Sequence, residues 1–476
     1  MGDALAWLFL GTRVLEKLRR STLAAWPEAQ PVMVPSGTLG TGWPQLLQSD
    51  LQSYKQLPLA LNGRRALDPR LPLHGVALSQ SLEWAGVSNE TIDPWRQGIV
   101  EGFDRLLLDL GLPTMRLPRG PRRRAWVVRS TSGEAELAEC PNCGYAAFRE
   151  AATFARAAPP AEPPAELQRV ATPGADTIGG LADLLGVDRR KTLKAMFYVT
   201  RPGEVVLAVL RGDLDVETAK LETAIGSSLA GPSSEAAIRQ TGAVPGYASP
   251  IGLKVRTSSG EPGLQVVADL SVQSMANFVA GANEQGFHVT GVNFPRDFAV
   301  SGVADIARVE AGFPCAQCGA GLGLSRGSEL ATASILSEVV RFAGPNGAIV
   351  EAPIFWCGMR PEAVLFAVAE SFEGEGLAWP RSIAPFDVHV LPLVDAPEIG
   401  DLTGRLTEEG LDVLIDDRQA SAGVKLTEAD WIGAPCRVIV GARSLAQGGA
   451  ELRRSDRAPE IVAWGDLEGA ILSLLG

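Results

Sequence analysis

Two cysteine pairs have the spacing of a metal-binding site. Each pair is Cys-x-x-Cys followed by glycine, and the four residues are Cys140, Cys143, Cys315 and Cys318. In a cytoplasmic chain this pattern favours tetrahedral coordination of a structural zinc ion, because thiolates beside turn-forming glycines suit a zinc ribbon. An empty reduced site and a pair of disulfides stay open as alternatives.

Between the two cysteine pairs, side chains able to perform catalysis are few. Residues 166–310 contain no cysteine, one histidine (His288) and no Gly-x-Ser-x-Gly elbow of a serine hydrolase. This composition argues against a covalent triad.

The composition limits the kind of protein. The 476 residues include 43 Lys and Arg against 55 Asp and Glu, a net charge of −12, and 46% are hydrophobic. These values indicate about three globular domains and argue against wholesale wrapping of nucleic acid. The arginine-rich run 119–129 is either a local contact to nucleic-acid phosphates or a solvated face. No apolar run reaches the roughly 18 residues of a membrane helix and no secretory signal is evident, so we expect a cytoplasmic location.

The segments that must position these residues alternate between helix and strand. An amphipathic helix is predicted over 91–112, and the Pro/Ala-rich linker 157–164 marks a domain boundary. A helix with a threonine cap is predicted over 177–185. Further strands are predicted over 192–200, 205–210, 253–256, 265–268 and 288–292. The last hundred residues alternate strand and helix, which favours a small domain with a largely parallel sheet.

The C-terminal segment carries a long signature. It contains the motifs Trp379-Pro380, Asp416-Asp417-Arg418, Gly423-Val-Lys425 and Gly433-Ala-Pro435. Together they resemble the anticodon-binding domain of class II aminoacyl-tRNA synthetases, specifically that of the bacterial prolyl-tRNA synthetases. The resemblance implies that Asp416, Asp417, Arg418 and Lys425 bind tRNA. An unrelated α/β domain with a solvated Asp-Asp-Arg turn is the alternative.

The middle of the chain agrees with this assignment. In order, it contains Thr172-Pro-Gly, Lys191-Thr-Leu-Lys194, Arg211-Gly-Asp, Gly246-Tyr-Ala-Ser249-Pro250, Asp269, Gly281-Ala-Asn283 and His288. This series resembles the YbaK-type editing domain inserted into bacterial prolyl-tRNA synthetases, which hydrolyses wrongly charged alanyl-tRNA. The cysteine pairs bracket this insertion, and the ends of an inserted domain usually lie close together.

The resemblance implies an α/β and α+β multidomain fold. A degenerate class II synthetase core with an antiparallel sheet occupies 1–156 and 311–382. A YbaK-type mixed α/β editing domain occupies 165–310, and an α/β anticodon-binding domain occupies 383–476.

The resemblance also assigns roles in the editing domain. Lys194 matches a lysine important for deacylation, and the Gly246–Pro250 loop offers backbone amides to the ester carbonyl. Ser249 stands where the family often has glycine, which puts the pocket size in doubt. His288 matches a pocket histidine that contacts the substrate amine or carbonyl, or it is structural. Asp269 either orients Lys194 or binds the amino group, or it caps a turn.

The core departs from the family at its ATP-binding positions. The segment between Pro35 and Ser53 is too short for the amino-acid loop. Leu67 replaces the motif 2 arginine, Leu78–Ser81 replaces Arg-x-Arg-Glu, and Ala363 replaces the motif 3 arginine unless Arg360 substitutes through a register slip. Losing several cations that stabilise adenylation should abolish it, so we expect no use of ATP.

The sequence therefore predicts a tRNA-binding deacylase that acts in trans on mischarged tRNA-Pro, with alanine as the expected amino acid. We expect no DNA or membrane partner, and a homodimer is possible as in related synthetases. The alternative is a catalytically silent tRNA-binding subunit, which a pocket plugged by Tyr247 or Phe287 would favour. An active proline–tRNA ligase is the third interpretation.

Overall fold

The computed structural model describes residues 2–24, 30–33, 43–56, 59–66, 72–73, 76–77, 80–87, 92–119, 122–156, 162–256, 262–372, 376–454 and 458–476. These residues form two compact units, one made of 1–135 with 326–476 and the other of 136–325. The second unit therefore contains all four cysteines of the Cys-x-x-Cys pairs.

Helices and strands follow one another along the whole chain. Up to residue 129 they are α1 (Gly2–Ala24), β1 (Gln30–Met33), α2 (Trp43–Asp50), β2 (Leu59–Ala66), β3 (Pro72–Leu73), β4 (Val76–Ala77), β5 (Gln80–Val87), α3 (Ile92–Asp109), β6 (Met115–Pro118) and β7 (Arg123–Arg129).

The next stretch covers the second unit. Its elements are β8 (Ala135–Glu139), β9 (Ala146–Phe148), β10 (Gln168–Ala171), α4 (Ile178–Leu185), β11 (Leu193–Thr200), β12 (Val205–Arg211), α5 (Thr218–Ile225), β13 (Leu229–Pro232), α6 (Glu235–Gln240), β14 (Gln265–Asp269), α7 (Leu270–Gln273), β15 (Phe278–Gly281), β16 (Phe287–Val292) and β17 (Gly302–Ala304).

The chain ends with a further alternation of elements. They are β18 (Gly323–Ala343), β19 (Ile349–Met359), α8 (Pro361–Glu370), β20 (Val388–Pro392), α9 (Glu398–Glu408), β21 (Val413–Ile415), α10 (Ala422–Ile432), β22 (Cys436–Val440), α11 (Ala442–Ala446), β23 (Gly449–Arg453), β24 (Glu460–Ala463) and α12 (Trp464–Leu475). Among the described helices, none combines the length and apolar character needed to cross a bilayer.

The first unit is built on a sheet with the strand order β1-β2-β5-β19-β18-β7-β6, in which every pairing except β1–β2 is antiparallel. Alternate residues of β19 point to opposite faces. Phe355 packs with helices α1, α3 and α8, whereas Ile354 packs with α2. Both faces of this sheet are therefore covered.

The C-terminal sheet is mixed, which corrects the prediction of a largely parallel one. Its strand order is β21-β20-β22-β23-β24. The pairings of β20 with β21 and β22 are parallel, but β22–β23 and β23–β24 are antiparallel. The reason is that the β22–β23 connection, which holds only the short helix α11, and the β23–β24 connection are both shorter than the dozen or so residues that a parallel crossover needs.

The second unit contains two sheets that form a common apolar core. The sheets run β13-β11-β12-β14-β17 and β10-β16-β15, and a bridge between Thr192 and Val279 links β11 to β15. Helix α4 begins as predicted: the Thr177 hydroxyl accepts a hydrogen bond from the Gly180 amide, and Gly186 ends the helix at φ +63°.

Buried ion pairs join the residues on either side of the segment 165–304 to this core. The Arg156 guanidinium lies 2.9 Å from one Asp269 carboxylate oxygen and 2.5 Å from Asp305. The Lys220 ammonium approaches Asp305 at 3.0 Å and donates to the carbonyls of Ala152 and Ala307. Burial alone would raise the pKa of Asp269, but the hydrogen bonds and charge of Arg156 hold it below its usual value.

We expect Asp269→Ala to lower the opening free energy of the second unit by about 3–5 kcal/mol, because it leaves Arg156 buried without its partner. Hydrogen exchange at the β14 amides measures this loss. Glu235→Ala, which removes an exposed pair with Arg239, is the matched control and should cost under about 1 kcal/mol. Because the pKa of Asp269 is lowered, its contribution is present above about pH 4 and declines as the pH falls further. Equal losses in both variants would contradict this account.

Candidate functional site

His288 lies on β16, between Val170 of β10 and Gly281 of β15. Its Nδ1 is 2.6 Å from the Thr172 hydroxyl, and the ring is almost fully buried. Burial lowers the pKa of His288, so the imidazole is neutral at pH 7. A neutral ring fixed through one nitrogen offers the other for a hydrogen bond to a bound molecule.

The Gly246–Pro250 loop is held against β15 by Asn283. The Asn283 amide donates to the Tyr247 carbonyl, and its side chain accepts from the Ser249 amide and donates to the carbonyls of Ser249 and Ile251. A Cβ atom at Gly281 would come within 2.1 Å of the Tyr247 oxygen. Only glycine at position 281 allows the backbone of β15 to approach the Tyr247 carbonyl this closely. The close approach lets Asn283 form its hydrogen bonds to the loop.

Two residues of this loop have backbone N–H groups that are available to a ligand. The amides of Tyr247 and Ser249 already donate to protein acceptors. Within the described part of the chain, the amides of Gly246 and Ala248 have no such acceptor, so these two could donate to a carbonyl oxygen of a ligand. The Ser249 hydroxyl is buried and accepts from the Ile251 amide.

Tyr247 covers His288. Their ring centroids are 5.4 Å apart, and the tyrosine ring is itself buried. A separate buried cluster, here called the apolar wall, consists of Ala175, Leu181 and Val279, with Leu185 and Val187 packed against it. Space beside the imidazole is therefore limited by an aromatic ring rather than by charge.

Lys194 contacts a different set of groups. Its ammonium donates to the Leu214 carbonyl at 2.6 Å and to the Asp215 carboxylate at 2.8 Å. Lys191, in the turn before β11, instead bonds Glu162 at 2.6 Å and directly precedes Thr192, which pairs with Val279 of the apolar wall. Neither ammonium contacts His288.

Asp269 has the geometry of a cap. Its carboxylate accepts from the Ser271 amide at the start of α7 and from the amides of Ile306 and Ala307. Of the roles left open by the sequence, the structure therefore shows turn capping, and the partner of Lys194 is Asp215 rather than Asp269.

The structure thus brings Gly246, Ser249, Pro250 and His288 together and leaves Lys194 and Asp269 with other partners. Sequence reasoning did not assign roles to Thr172 or Asn283, although both stand inside the quoted motifs, and it named Tyr247 only as a residue that could plug the pocket. Asn283 has φ +52°, a conformation that asparagine tolerates better than most residues, and its position after Gly-Ala was the available signal.

The four thiols form one cluster. All four sulfurs lie within 4.8 Å of one another, with Cys140 and Cys318 at 3.5 Å and Cys143 and Cys315 at 3.7 Å. A tetrahedron with metal–sulfur bonds of about 2.3 Å places its sulfurs about 3.8 Å apart, so the cluster fits a thiophilic metal ion. The two knuckles are alike: the Gly144 and Gly319 amides donate to the carbonyls of Cys140 and Cys315.

The residues predicted to bind tRNA meet at the end of β21. Arg418 pairs with Asp416 at 2.8 Å and also contacts Glu428, while Asp417 is exposed. The Lys425 ammonium is buried and donates to the carbonyls of Pro392 and Asp416. It therefore holds the loop in place and presents no charge at the surface.

The aligned ATP-binding positions are described in part. Leu67 and the pair 78–79 lie outside the described residues. Ala363 lies on α8 and is fully buried in the core. Arg360 precedes that helix, and its guanidinium is paired with Glu134 at 3.1 Å.

Two family profiles match this sequence. The aminoacyl-tRNA editing domain matches residues 172–298, and the anticodon binding domain matches residues 387–473. Proline–tRNA ligases are similar over most of the chain. That of Dehalococcoides mccartyi is 34% identical over 87% of this chain and 75% of its own length. Those of Salinispora tropica and Desulforamulus reducens are 35% and 32% identical, over 87% and 90% of this chain and 74% and 79% of their own lengths.

We expect protein purified without chelator to hold about one metal ion per chain, and Cys143→Ser to lower both metal content and melting temperature, because four thiolates form a closed site. Elemental analysis measures the ion. Cys436→Ala, which changes a buried cysteine outside the cluster, should keep the metal. Unchanged metal in a double Cys140/Cys315→Ser variant would contradict a shared site.

Proposed function

The chain belongs to the proline–tRNA ligase family, and from this premise we propose that it is a tRNA-binding aminoacyl-tRNA deacylase that clears mischarged tRNA-Pro, with alanine as the amino acid removed. One observation carries the proposal: a buried neutral histidine, fixed by Thr172, lies beside a rigid loop with two unused amides.

Such an activity meets a chemical need. A pocket that accepts proline cannot strongly reject the smaller alanine, because each missing methylene is worth only about 1–3 kcal/mol. A second site must then hydrolyse the wrong product. Since the aminoacyl ester is already activated, holding it beside water can suffice.

In the proposed reaction, water adds to the ester carbonyl carbon and the carbon–oxygen bond to the terminal ribose breaks. The ribose oxygen takes a proton, and the amino acid leaves. The amides of Gly246 and Ala248 donate to the developing oxyanion, and His288 bonds the substrate amine or carbonyl. The neighbouring ribose hydroxyl helps to position the water, as the resemblance to the editing family implies.

The proposal assigns Lys194 as the cation that grips the terminal phosphate or polarises the ester. Its ammonium is held by Asp215, whose side chain is largely exposed, so a substrate phosphate can replace that partner at little cost. Lys191 is the competing candidate, since it adjoins the residue that pairs with the apolar wall.

We also propose that adenylation is lost and that ATP is not used. Support comes from Ala363, which is buried where the family has an arginine, and from Arg360, whose guanidinium is already paired with Glu134. The boundaries 1–156, 165–310, 311–382 and 383–476, the cytoplasmic location and a homodimer belong to the same proposal.

The metal in the thiol cluster is proposed to be zinc. A site made of four thiolates favours zinc or iron–sulfur clusters, and the separations of the sulfurs suit a single tetrahedral ion. When bound, zinc would be held by all four cysteines and would supply structural cross-linking only, because no coordination position stays open.

A second candidate function is a silent tRNA-binding subunit. The observation that favours it is Tyr247, whose buried ring lies 5.4 Å from the His288 ring, centroid to centroid, and would exclude an acyl group from that side of the imidazole. Under this interpretation the wild type would bind tRNA but release no amino acid.

We expect no proline-dependent exchange of pyrophosphate into ATP. Removing one preorganised cation commonly costs about 10²–10³ in rate, and the positions aligned with two such arginines hold Leu67 and Ala363. A related proline–tRNA ligase assayed in parallel is the positive control. Exchange well above the no-enzyme control would mean that the core is active.

We expect Lys194→Ala to slow deacylation of alanyl-tRNA by roughly 10²-fold while tRNA binding changes little, because most affinity comes from many phosphate contacts. Single-turnover release of amino acid measures the step. Lys191→Ala is the matched control from the same segment and should retain most activity. A loss confined to Lys191→Ala would transfer the role to that residue. If the wild type releases no amino acid from any mischarged tRNA, the silent subunit is the better interpretation.

A further inference from the structure

Helix α10 exposes a large aromatic side chain to solvent. Trp431 is 65% exposed, and Val424, two turns earlier on the same side of the helix, is 45% exposed. On the opposite side of the helix, Lys425 and Ala429 are buried against the sheet. The helix is thus anchored, so its outer face is a fixed surface.

A polar group lies within this face. Glu428 is one turn from both Val424 and Trp431, and it receives the Arg418 guanidinium from the loop after β21. Arg418 is shared with Asp416, and Asp417 beside it is exposed. Because carboxylates surround this arginine, the patch offers little net positive charge to a phosphate backbone.

The size of the patch limits what can cover it. Trp431 and Val424 together offer roughly 200 Å² of exposed surface. A stable interface with a second protein needs about 800 Å² on each partner. A patch of one indole and one aliphatic side chain instead matches the flat face of a nucleobase.

We propose that Trp431 is a stacking platform for an unpaired base in the anticodon loop of bound tRNA. The inference rests on the proposed tRNA binding and adds a residue to it. Bases stack on aromatic side chains in single-stranded segments, and stacking needs no positive charge. The location agrees, since α10 lies inside the match to the anticodon binding domain at 387–473.

This mode predicts a particular salt dependence. Affinity that comes from phosphate contacts falls steeply with salt because counterions are released, whereas stacking contributes equally at all salt concentrations. Removing the indole should therefore weaken tRNA binding by a constant factor across a salt series. Loss of a phosphate contact would instead flatten the slope.

The test measures the dissociation constant for tRNA-Pro at four salt concentrations. Trp431→Ala should bind about tenfold or more weakly with an unchanged salt slope, Trp431→Phe should lie within about threefold of the wild type, and Trp431→Leu should resemble alanine. Leu108→Ala, an equally bare apolar residue at 71% exposure on α3, is the matched control and should bind as the wild type.

Three outcomes would overturn the inference: binding by Trp431→Ala within twofold of the wild type, full rescue by leucine, or a change of oligomeric state in Trp431→Ala. Circular dichroism and the melting temperature verify that the variants fold. Failure of the proposed tRNA binding is distinct, because it appears as a wild type that does not bind tRNA-Pro, and it would overturn both proposals. A wild type that binds tRNA but releases no amino acid would overturn only the proposed deacylase.

Discussion

The second unit depends on a buried network of ion pairs, and removing any one member of it lowers the stability of the unit. Arg156 serves Asp269 and Asp305, and Lys220 neutralises Asp305 from the other side. An uncompensated charge in the interior costs several kcal/mol, so the four groups must assemble together. Because Asp269 also accepts the amides of Ile306 and Ala307, this assembly joins the segments where the chain enters and leaves the unit.

The thiol cluster lies next to the same two segments of the chain and joins them by further contacts. Phe154, two residues before Arg156, forms a β-bridge with Cys315, and the Ala155 amide donates to the Pro314 carbonyl. A bound metal and the ion network therefore hold the same chain ends at successive points. The contacts of His288 come from Thr172 and Tyr247 instead, so the scaffold and the chemistry depend on separate interactions.

Sequence reasoning predicted what is encoded locally. The cap of α4, the β11–β12 hairpin and the histidine with its glycine loop all follow from short motifs. The rest depends on residues far apart in the chain, such as Arg156 with Asp269. A strand was predicted over 253–256, but within the described part of the chain Val255 forms a single isolated bridge, to Leu264. Lys425 was predicted to contact tRNA because of the resemblance to the anticodon-binding domain, yet two carbonyls hold its ammonium inside.

A synthetic site must bind proline and exclude alanine. On the proposed function, the editing site has the opposite task, because it must reject proline and accept alanine. A rigid wall does this better than a polar contact, since overpacking by a few carbon atoms costs about 1–3 kcal/mol. Tyr247 can serve as such a wall because Asn283 and Gly281 fix its backbone and its ring is buried against His288. Discrimination would then reside in the stiffness of the Gly246–Pro250 loop, and the neutral His288 would orient whatever is small enough to enter.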